Sequence, residues 1–364
     1  MKKNFGFGCM RLPMIDDIVD REQFKKMVDI FIKEGFNYFD TARVYISGQS
    51  EKEIKICLTD RYPRDKYILT DKLTASCFQK ESEIIPFFEE QLALTGVEYF
   101  DYYLMHALNI DFYAKFENCN AFKVAKELKK NGKIKHIGIS FHDKADVLDK
   151  ILSDHPEIEI VQIQFNYADY DDPKIQSKAL YDVCEKYKKP VIVMEPCRGG
   201  SLINIPKLGK DIFEEEGGSC ASYAIRFAAS YPSVVMVLSG MSTIGQLREN
   251  VGFMKSFKPL NNKERVAIDK VHKILINQDI INCTACRYCV EGCPQKISIP
   301  DLFTVYNKKK QFNDGNSDLN YRNNTIIKGL GLASDCIKCG KCESICPQHL
   351  PIIENLIKVA SIFE

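Results

Sequence analysis

A repeated pattern, in which a short apolar segment is followed by an amphipathic stretch of roughly 10 to 15 residues, runs to about residue 256 of this 364-residue chain. Eight apolar segments are candidate β-strands: residues 5–10, 37–42, 67–72, 101–106, 134–140, 159–164, 191–196 and 234–239. Strands that alternate with helices indicate βαβ units and a parallel sheet. Eight such units over about 250 residues have the size of a closed (β/α)8 barrel. The sequence therefore predicts an α/β protein with a TIM barrel over residues 1–260.

Six successive candidate strands end in a polar side chain. These residues are Asp40, Lys72, His106, Ser140, Gln162 and Glu195. Taken alone, each is most simply a solvated loop residue. In a (β/α)8 barrel, however, the carboxyl ends of all strands meet at one rim, where the active sites of this fold lie. We therefore expect the six side chains to surround a common site.

Three motifs at these strand ends resemble the catalytic tetrad of the aldo-keto reductases: NYFDTARVY with Asp40 and Tyr45, TDK with Lys72, and LMH with His106. Further stretches across the barrel, GFGCMRLP, GIS, VQIQFNY, MEPCRGG and GMSTIGQLRENV, are similar to the same family. The resemblance implies an NAD(P)-dependent oxidoreductase of aldo-keto reductase type that interconverts a carbonyl and an alcohol.

The residue types of the tetrad suit carbonyl reduction. Hydride addition leaves an alkoxide, and Tyr45 is the candidate general acid because a phenol can donate both a hydrogen bond and a proton. We expect Lys72, held by Asp40, to lower the pKa of this phenol toward neutral pH. His106 would donate a second hydrogen bond to the carbonyl oxygen, through either ring nitrogen. The alternative is a surface tyrosine, a simple Asp–Lys ion pair and a structural histidine.

The resemblance also implies a set of cofactor-binding residues. They are Ser140, Gln162, Arg198, Gly199, Gly240, Met241, Ser242, Thr243, Gln246, Glu249 and Asn250. Ser140 and Gln162 would hold the nicotinamide carboxamide, and Arg198 and Gly199 would lie beside the pyrophosphate. The others begin the last barrel helix, where unpaired N–H groups and the helix dipole attract an anion. Among them, Gln246, Glu249 and Asn250 are spaced at i, i+3 and i+4 and would share one helix face toward the adenosine.

The sequence favours NADH over NADPH. Many NADP-dependent members of the family carry Lys and Arg at the positions that Gly240 and Gln246 hold here. Arg248 is a poor substitute because it lies about 200° around the helix from Gln246. A flavin could link hydride and single-electron chemistry, but no flavin motif is evident.

The most specific motif of the chain lies near its end. Eight of the 15 cysteines form two C-x2-C-x2-C-x3-C-P motifs, the pattern of two-cluster bacterial ferredoxins, in which each fourth Cys serves the other cluster. Cluster one would take Cys283, Cys286, Cys289 and Cys346, and cluster two would take Cys336, Cys339, Cys342 and Cys293. Thiolate ligands select iron–sulfur clusters or zinc, so a pair of zinc sites is the alternative.

Helical patterns at 263–278, 299–312 and 350–364 surround these motifs. They predict a small, mainly helical, ferredoxin-like iron–sulfur domain over residues 261–364, entered by a connecting helix. Residues 107–122 are predicted to form a long aromatic-rich loop after the fourth strand. Among the scattered cysteines, Cys184 and Cys220 are expected to be buried, and Cys197 follows the seventh strand at the catalytic rim.

Charge and hydropathy exclude several classes of function. Lys and Arg total 50 against 49 Asp and Glu, a formal charge of +1, so no broad basic surface predicts nucleic-acid binding. No segment reaches the roughly 18 apolar residues of a membrane span, and no secretory signal is recognisable. We expect a cytoplasmic protein whose partners are a small-molecule carbonyl or alcohol and a redox partner protein.

Three functional hypotheses follow from the two parts of the chain. In the first, the barrel interconverts a carbonyl and an alcohol with NAD(P)H, and two [4Fe–4S] clusters exchange electrons with a partner or the substrate. In the second, the protein is an electron-transfer module whose barrel is a docking scaffold with little dehydrogenase activity. In the third, the clusters only stabilise the fold of the tail, because the free energy of metal binding can be folding free energy.

Overall fold

The protein was analysed as a computed structural model that describes residues 4–312 and 314–364. Eight strands, β1 to β8, form a closed barrel: Phe5–Gly8, Tyr38–Asp40, Ile68–Leu73, Phe100–Leu108, Ile134–Phe141, Ile160–Gln164, Val191–Met194 and Val234–Ser239. Every strand pairs in parallel with its neighbours in the chain, and β1 closes the barrel against β8. A separate two-stranded antiparallel hairpin pairs Met14–Ile15 with Ile18–Val19. The predicted fold class is confirmed.

Helices surround the barrel between its strands. In chain order, α1 to α7 are Arg21–Lys33, Gln49–Ile54, Ile84–Thr95, Ile110–Asn118, Ala121–Lys130, Ala145–Asp154 and Ser177–Lys186. After α8, which is described below, α9 is Cys220–Ala229 and α10 is Ile244–Lys255. The first helix illustrates why they form. The Asp20 side chain accepts a hydrogen bond from the Gln23 N–H and caps the helix, while residues 24, 27, 28 and 31 form the buried apolar face. That face packs on the barrel core.

The predicted loop over residues 107–122 is wrong, because most of this segment is helical. The Asn109 side chain accepts a hydrogen bond from the Phe112 N–H at 2.8 Å and begins the helix Ile110–Asn118. Tyr113 and Phe116, three residues apart, are buried on one face of this helix. Two aromatic residues of this segment therefore belong to a packing face.

The barrel interior is built in layers along the strands. A buried cluster of Tyr38, Leu104, Ile160, Ile192, Met236 and Leu238 fills its middle. Alternate residues of a strand face the same side, so the residue two positions beyond a member of this cluster also faces inward. Asp40 follows Tyr38, His106 follows Leu104 and Gln162 follows Ile160 in this way. A polar layer therefore lies toward the carboxyl ends of the strands.

Gly138 permits this close packing inside the barrel. A Cβ atom at this position would lie 2.5 Å from Leu104 Cδ2 and 2.8 Å from the Ile160 carbonyl oxygen. We expect Gly138→Ala to lower stability by about 1–3 kcal/mol through overpacking, measured as a lower Tm. Gly252→Ala is the matched control, because no atom lies within 4 Å of its added Cβ on an exposed helix face. Equal Tm values for the two variants would contradict this interpretation.

Contacts divide the chain into two compact units. The first contains residues 4–172, 176–196 and 221–260, and the second contains residues 173–175, 197–220 and 261–364. The segment 197–220, assigned to the barrel domain 1–260 from the sequence, thus lies in the second unit, because its helix α8, Lys207–Glu215, packs on α11, Asn262–Ile276. It stays a prediction that residues 1–260 and 261–364 are two folding domains.

The second unit is mainly helical, as predicted. Its helices after α8 and α11 are Tyr288–Glu291, Ile299–Phe312, Ser317–Arg322, Lys341–Ser344 and Ile352–Phe363. A reciprocal capping box between Asn261 and Glu264 begins α11. Leu302, Phe303 and Leu356 are central members of a buried apolar core in this unit. Among the helices that the structure describes, none is both long enough and apolar enough to cross a membrane.

Candidate active site and metal centre

A buried ion pair lies at the centre of the polar layer. The Lys72 Nζ donates to Asp40 Oδ1 at 2.6 Å and to the Thr41 carbonyl oxygen at 2.8 Å. The two charged side chains are 0% and 2% exposed, and Gln162 Nε2 donates to the second Asp40 oxygen at 3.2 Å. Burial raises the pKa of Asp40, and the Lys72 ammonium opposes this rise. The ammonium is therefore held in one position by two groups at the end of β2, and β6 contributes through the contact of Gln162 with Asp40.

Tyr45 lies beside this ion pair at the start of a short 3-10 turn, Tyr45–Gly48. Lys72 Nζ is 4.8 Å from the centroid of its ring, and the ring of His106 lies 6.0 Å away in an edge-on arrangement. Ile46 follows with φ 52°, a left-handed conformation that is costly for a β-branched residue. The structure thus brings all four residues of the predicted tetrad together.

The expectation that the pKa of Tyr45 is lowered toward neutral pH is wrong for the free chain. The pKa of the phenol is raised well above its usual value, first by burial and then by the negative charge of Asp40. Cys9, Glu195 and Asp71 add to the rise. Removal from water disfavours the phenolate more than one nearby ammonium favours it. Tyr45 therefore stays protonated at neutral pH, the form that a proton donor needs.

His106 has a partner that the sequence analysis missed. Its Nδ1 lies 2.8 Å from the Thr74 hydroxyl oxygen, in a hydrogen bond whose direction depends on the tautomer. Burial, and then the charge of Lys72, lower the pKa of His106 well below its usual value, so the ring is neutral at pH 7. Thr74 could have been found, because it lies two residues beyond Lys72 and so faces the same side of β3.

A second buried polar network holds Lys72 from outside the barrel, and it too was missed. Asp71 points away from the interior, where Gln91 Nε2 donates to its Oδ1 at 3.0 Å and to the Lys72 carbonyl oxygen at 3.1 Å. The Tyr103 hydroxyl donates to Gln91 Oε1 at 2.6 Å, and Gln91 also donates to Glu51 at 2.9 Å. Burial and the Glu51 carboxylate raise the pKa of Asp71 well above its usual value. The network fixes the backbone at the position of the catalytic lysine candidate.

Two predicted nicotinamide contacts lie in the same polar layer. The Ser140 hydroxyl accepts a hydrogen bond from the Ala107 N–H at 2.8 Å, and Gln162 donates to Asp40. Both side chains are buried. Glu195, at the end of β7, is 3.5 Å from Arg11 Nη2, and its charge contributes to the pKa of Tyr45. These strand-end residues therefore share the region of the tetrad.

The last barrel helix begins differently from the expectation. The Ser242 N–H, predicted to be unpaired, donates to Gln246 Oε1 at 2.8 Å, and Thr243 Oγ1 accepts from the Gln246 N–H at 3.2 Å. The Met241 side chain is fully buried. The helix thus caps its own first turn with side chains, which uses one of the N–H groups that were expected to attract an anion.

The common ligand face of Gln246, Glu249 and Asn250 stays a prediction. Gln246 and Glu249 are exposed, as is Gly240 before the helix, whereas Asn250 is buried. Asn250 Nδ2 donates to Ser239 Oγ at 3.2 Å, because this side of the helix packs on the barrel through Leu247 and Val251. The two remaining candidates for cofactor binding, Arg198 and Gly199, belong to the second unit, where they contact residues 282–284.

The second unit contains two cavities, each lined by four cysteines. One cavity is lined by Cys283, Cys286, Cys289 and Cys346. The other cavity is lined by Cys293, Cys336, Cys339 and Cys342. In each, three cysteines come from one motif and the fourth from the other. These are the two sets of four that the resemblance to two-cluster ferredoxins predicts.

The chemistry of these cavities fits iron–sulfur clusters. The rest of each lining is largely apolar, with Ile299 and Phe303 or Ile297 and Leu356 among its residues. The pKa of Cys289 is raised far above its usual value, first by burial and then by the neighbouring cysteines. Four such thiolates repel one another unless a cationic centre lies between them. The donor set therefore suits a cluster that is bound by thiolates.

The other cysteines are dispersed. Cys184 is buried as expected, and burial raises its pKa to about 12, which makes it an unreactive thiol. Cys220 is only half-buried, so its predicted burial is wrong, and Cys197 is half-buried in the second unit.

A closed barrel gathers a buried Lys–Asp pair, a tyrosine and a histidine at the carboxyl ends of its strands, an arrangement typical of an enzyme, and a helical unit carries eight cysteines in two cavities. The chain belongs to the aldo/keto reductase family, whose model matches residues 4–273. A 4Fe-4S dicluster domain matches residues 282–350. The protein is therefore an oxidoreductase of aldo-keto reductase type, a nicotinamide-dependent class, with an iron–sulfur domain.

Several known proteins are similar to this chain. Over 270 residues the chain is 26% identical to the 7-acetyl-epi-neemfruitin B aldo-keto reductase of Melia azedarach, covering 68% of this chain and 78% of that protein. A crystal structure of an aldo-keto reductase from Klebsiella pneumoniae in complex with NADPH matches with a TM-score of 0.60 at 18% identity, over 74% of this chain and 90% of that one. Such a structural match supports the fold. One component of an ion-translocating oxidoreductase complex from Buchnera aphidicola is 27% identical over 115 residues, 29% of this chain and 21% of that protein.

Proposed function

We propose that the barrel interconverts a small-molecule carbonyl and an alcohol, with a nicotinamide dinucleotide bound at the carboxyl ends of its strands. The observation that carries this proposal is the buried Lys72–Asp40 pair, with its 2.6 Å contact, beside Tyr45. Burying two charges is costly unless they are paired, and a surface ion pair would stabilise the fold as well at less cost. The pair is therefore best explained by its effect on the neighbouring phenol.

Each residue has a separate part in reduction. The nicotinamide, when bound, supplies the hydride. Tyr45 donates its proton to the carbonyl oxygen as negative charge develops there, and its raised pKa keeps that proton available at neutral pH. Lys72, 4.8 Å from the ring, stabilises the phenolate that remains, and Asp40 holds the ammonium in place. In the oxidation direction the same groups accept the proton from the alcohol.

His106 orients the carbonyl. We assign the Thr74 hydroxyl as donor to Nδ1, so the proton of the neutral ring is on Nε2 and can be donated to the substrate oxygen. The lowered pKa of His106 supports this assignment, because a neutral ring carries one N–H. Thr74 is then a positioning residue that selects the tautomer.

Replacement of the threonine tests this role. In Thr74→Val the hydroxyl is lost and Nδ1 can take the proton, so we expect kcat to fall about tenfold, equal to ~1.4 kcal/mol of transition-state stabilisation. Nitrogen-15 NMR of His106 should show the change of tautomer. Thr95→Val is the control, since this buried hydroxyl donates to a carbonyl of its own helix at 2.7 Å. An unchanged tautomer and kcat in Thr74→Val would refute the assignment.

We further propose that the dicluster domain holds two [4Fe–4S] clusters, in the two cysteine sets that line its cavities, and exchanges single electrons with a redox partner protein. Cys339 is exposed, which supports electron exchange on the side of cluster two. NADH is the proposed dinucleotide, because Gly240 and Gln246 offer no cation for a 2′-phosphate. The Gln246 side chain is moreover already bonded to the Ser242 N–H.

Anaerobic purification tests this combined function. Iron, sulfide, flavin and nicotinamide are quantified in the holoenzyme, and NADH and NADPH are then compared as reductants of the clusters and of a panel of aldehydes and ketones. The proposal expects about eight iron atoms per chain, from two four-iron clusters, and carbonyl turnover that is faster with NADH. Cluster reduction by a partner without any carbonyl turnover would favour a pure electron-transfer protein. A carbonyl turnover rate that is the same with oxidised and reduced clusters would favour a structural role for the clusters.

A further inference from the structure

The two cysteine motifs of the second unit share one backbone turn around their second cysteine. The residues on either side of Cys286 have φ values of 53° and 67°, and those on either side of Cys339 have φ values of 57° and 75°. All four residues therefore adopt the left-handed conformation. Because the backbone turns alike in both loops, the side chains and their exposure decide what each loop can bind.

The second loop is open to solvent where the first is not. Ile337, which follows the first cysteine of its motif, is 58% exposed, whereas Thr284 at the same place in the first motif is 2% exposed. Cys339 is the exposed member of the eight motif cysteines, and its counterpart Cys286 is half-buried. A second protein can therefore come closer to the ligand set of cluster two than to that of cluster one.

Two lysines lie on either side of the exposed cysteine. Lys338 and Lys341 are both exposed, and in the part of the chain that the structure describes neither side chain belongs to an ion pair. The carboxylates nearest to them in the chain, those of Asp335 and Glu343, each accept a hydrogen bond from a backbone N–H at 2.8 Å. The two ammonium groups therefore remain available to the carboxylates of a partner.

The apolar and charged groups of this loop are adjacent. Ile337 and Lys341 both line the cavity of cluster two. In the first motif the cation between the cysteines, Arg287, is already paired with Asp301 at 2.9 Å. An exposed apolar side chain beside unpaired cations is complementary to a protein surface that carries carboxylates around an apolar centre.

We propose that Ile337, Lys338 and Lys341 form the docking surface for a one-electron carrier protein whose own redox centre is surrounded by acidic side chains. This inference rests on the proposed function, because it takes the dicluster domain as a site of electron exchange. In each encounter one electron leaves the reduced carrier and enters cluster two, and no bond is made or broken. Three side chains around one exposed ligand suit the small, transient interfaces of redox partners, which bury less than about 1,200 Å².

Removal of the two charges tests the docking surface. The probe is a plant-type [2Fe–2S] ferredoxin with an acidic surface, and its binding to the anaerobic full-length holoenzyme is measured by biolayer interferometry at low ionic strength. In Lys338→Gln with Lys341→Gln we expect the Kd to rise about tenfold and to depend less steeply on salt than in the wild type. Lys263→Gln with Lys270→Gln is the matched control, because it removes two exposed lysines from α11 of the same unit. Its Kd should stay within about twofold of the wild-type value.

The apolar part of the docking surface has its own matched pair. Ile337→Gln should raise the Kd for the ferredoxin about fivefold, because the partner loses an apolar contact at the centre of the interface. Ile357→Gln is the control, since this isoleucine of the helix Ile352–Phe363 is 56% exposed, close to the 58% of Ile337. Both substitutions are at exposed positions, so iron content and Tm should not change.

Stopped-flow bleaching of the clusters by reduced ferredoxin separates failure of this inference from failure of the proposed function. We expect the bimolecular rate constant to fall about tenfold in the double lysine variant and to stay unchanged in its control. Equal Kd values in that variant and its control, while reduced ferredoxin still bleaches the clusters, would overturn the inference and leave the proposed electron exchange standing. Tighter binding of cytochrome c, a basic carrier, than of the ferredoxin would overturn it as well. If neither carrier exchanges electrons with clusters that dithionite reduces, both proposals fail.

Discussion

Replacing Tyr45 with phenylalanine should lower kcat for carbonyl reduction by about 10²- to 10⁴-fold, the usual contribution of a general acid. The change removes one oxygen atom and leaves the ring beside Lys72 and His106, so the fold and the iron content should not change. Steady-state kinetics with the best carbonyl of a substrate panel measures the effect. The dinucleotide Kd, measured in parallel, should stay within about twofold because the loss concerns only the transition state.

A control separates loss of the acid from loss of a buried hydroxyl in general. Tyr67→Phe makes the same change at a buried tyrosine that precedes β3, at the amino end of the barrel. Its kcat should equal that of the wild type. If Tyr45→Phe keeps more than about a tenth of the wild-type kcat, the phenol is not the proton donor.

Replacing Lys72 should produce the largest loss of stability. In Lys72→Met the Asp40 carboxylate stays buried without its counter-charge, which we expect to cost about 3–5 kcal/mol and to abolish turnover. The double variant Asp40→Leu with Lys72→Met removes both charges, so it should regain most of the stability and none of the activity. Chemical denaturation and kinetics on the same preparations measure both outcomes.

The control for this prediction is an ion pair on the same barrel whose lysine is exposed. Lys135 Nζ lies 2.9 Å from Asp101 Oδ1, but its side chain is 51% exposed. Lys135→Met should therefore cost less than about 1 kcal/mol and leave kcat unchanged. Equal losses of stability in the Lys72 and Lys135 variants would show that burial of the catalytic candidate pair carries no special cost.

The sequence predicted the parts of this protein that follow from periodicity and motif spacing. Strand β8 was predicted at the bounds that the structure has, 234–239, because an apolar run of this length has few alternatives. The strand-end positions of Asp40, Lys72 and His106 followed from one geometric rule of the barrel. The division of the eight cysteines into two sets of four followed from the resemblance of the motifs to two-cluster ferredoxins, in which each fourth cysteine serves the other cluster.

What the sequence could not predict depends on contacts between distant segments. Gln91 lies 19 residues from the Lys72 carbonyl that it contacts, and no local pattern distinguishes it from a surface glutamine. The pKa of Tyr45 depends on how many groups surround it, which the order of residues does not give. The association of residues 197–220 with the second unit depends on helix packing, whereas the sequence pattern placed them between two barrel strands.

Transfer of isotope from the dinucleotide to the product tests the central claim most directly. NADH that carries deuterium at the transferable position of C4 is incubated anaerobically with the holoenzyme and its best carbonyl substrate, and the alcohol is examined by mass spectrometry. The account predicts one deuterium on the carbinol carbon of each product molecule, since the hydride moves directly while Tyr45 supplies only the hydroxyl proton. Product with hydrogen from water on that carbon would contradict the account and would indicate electron delivery through the clusters.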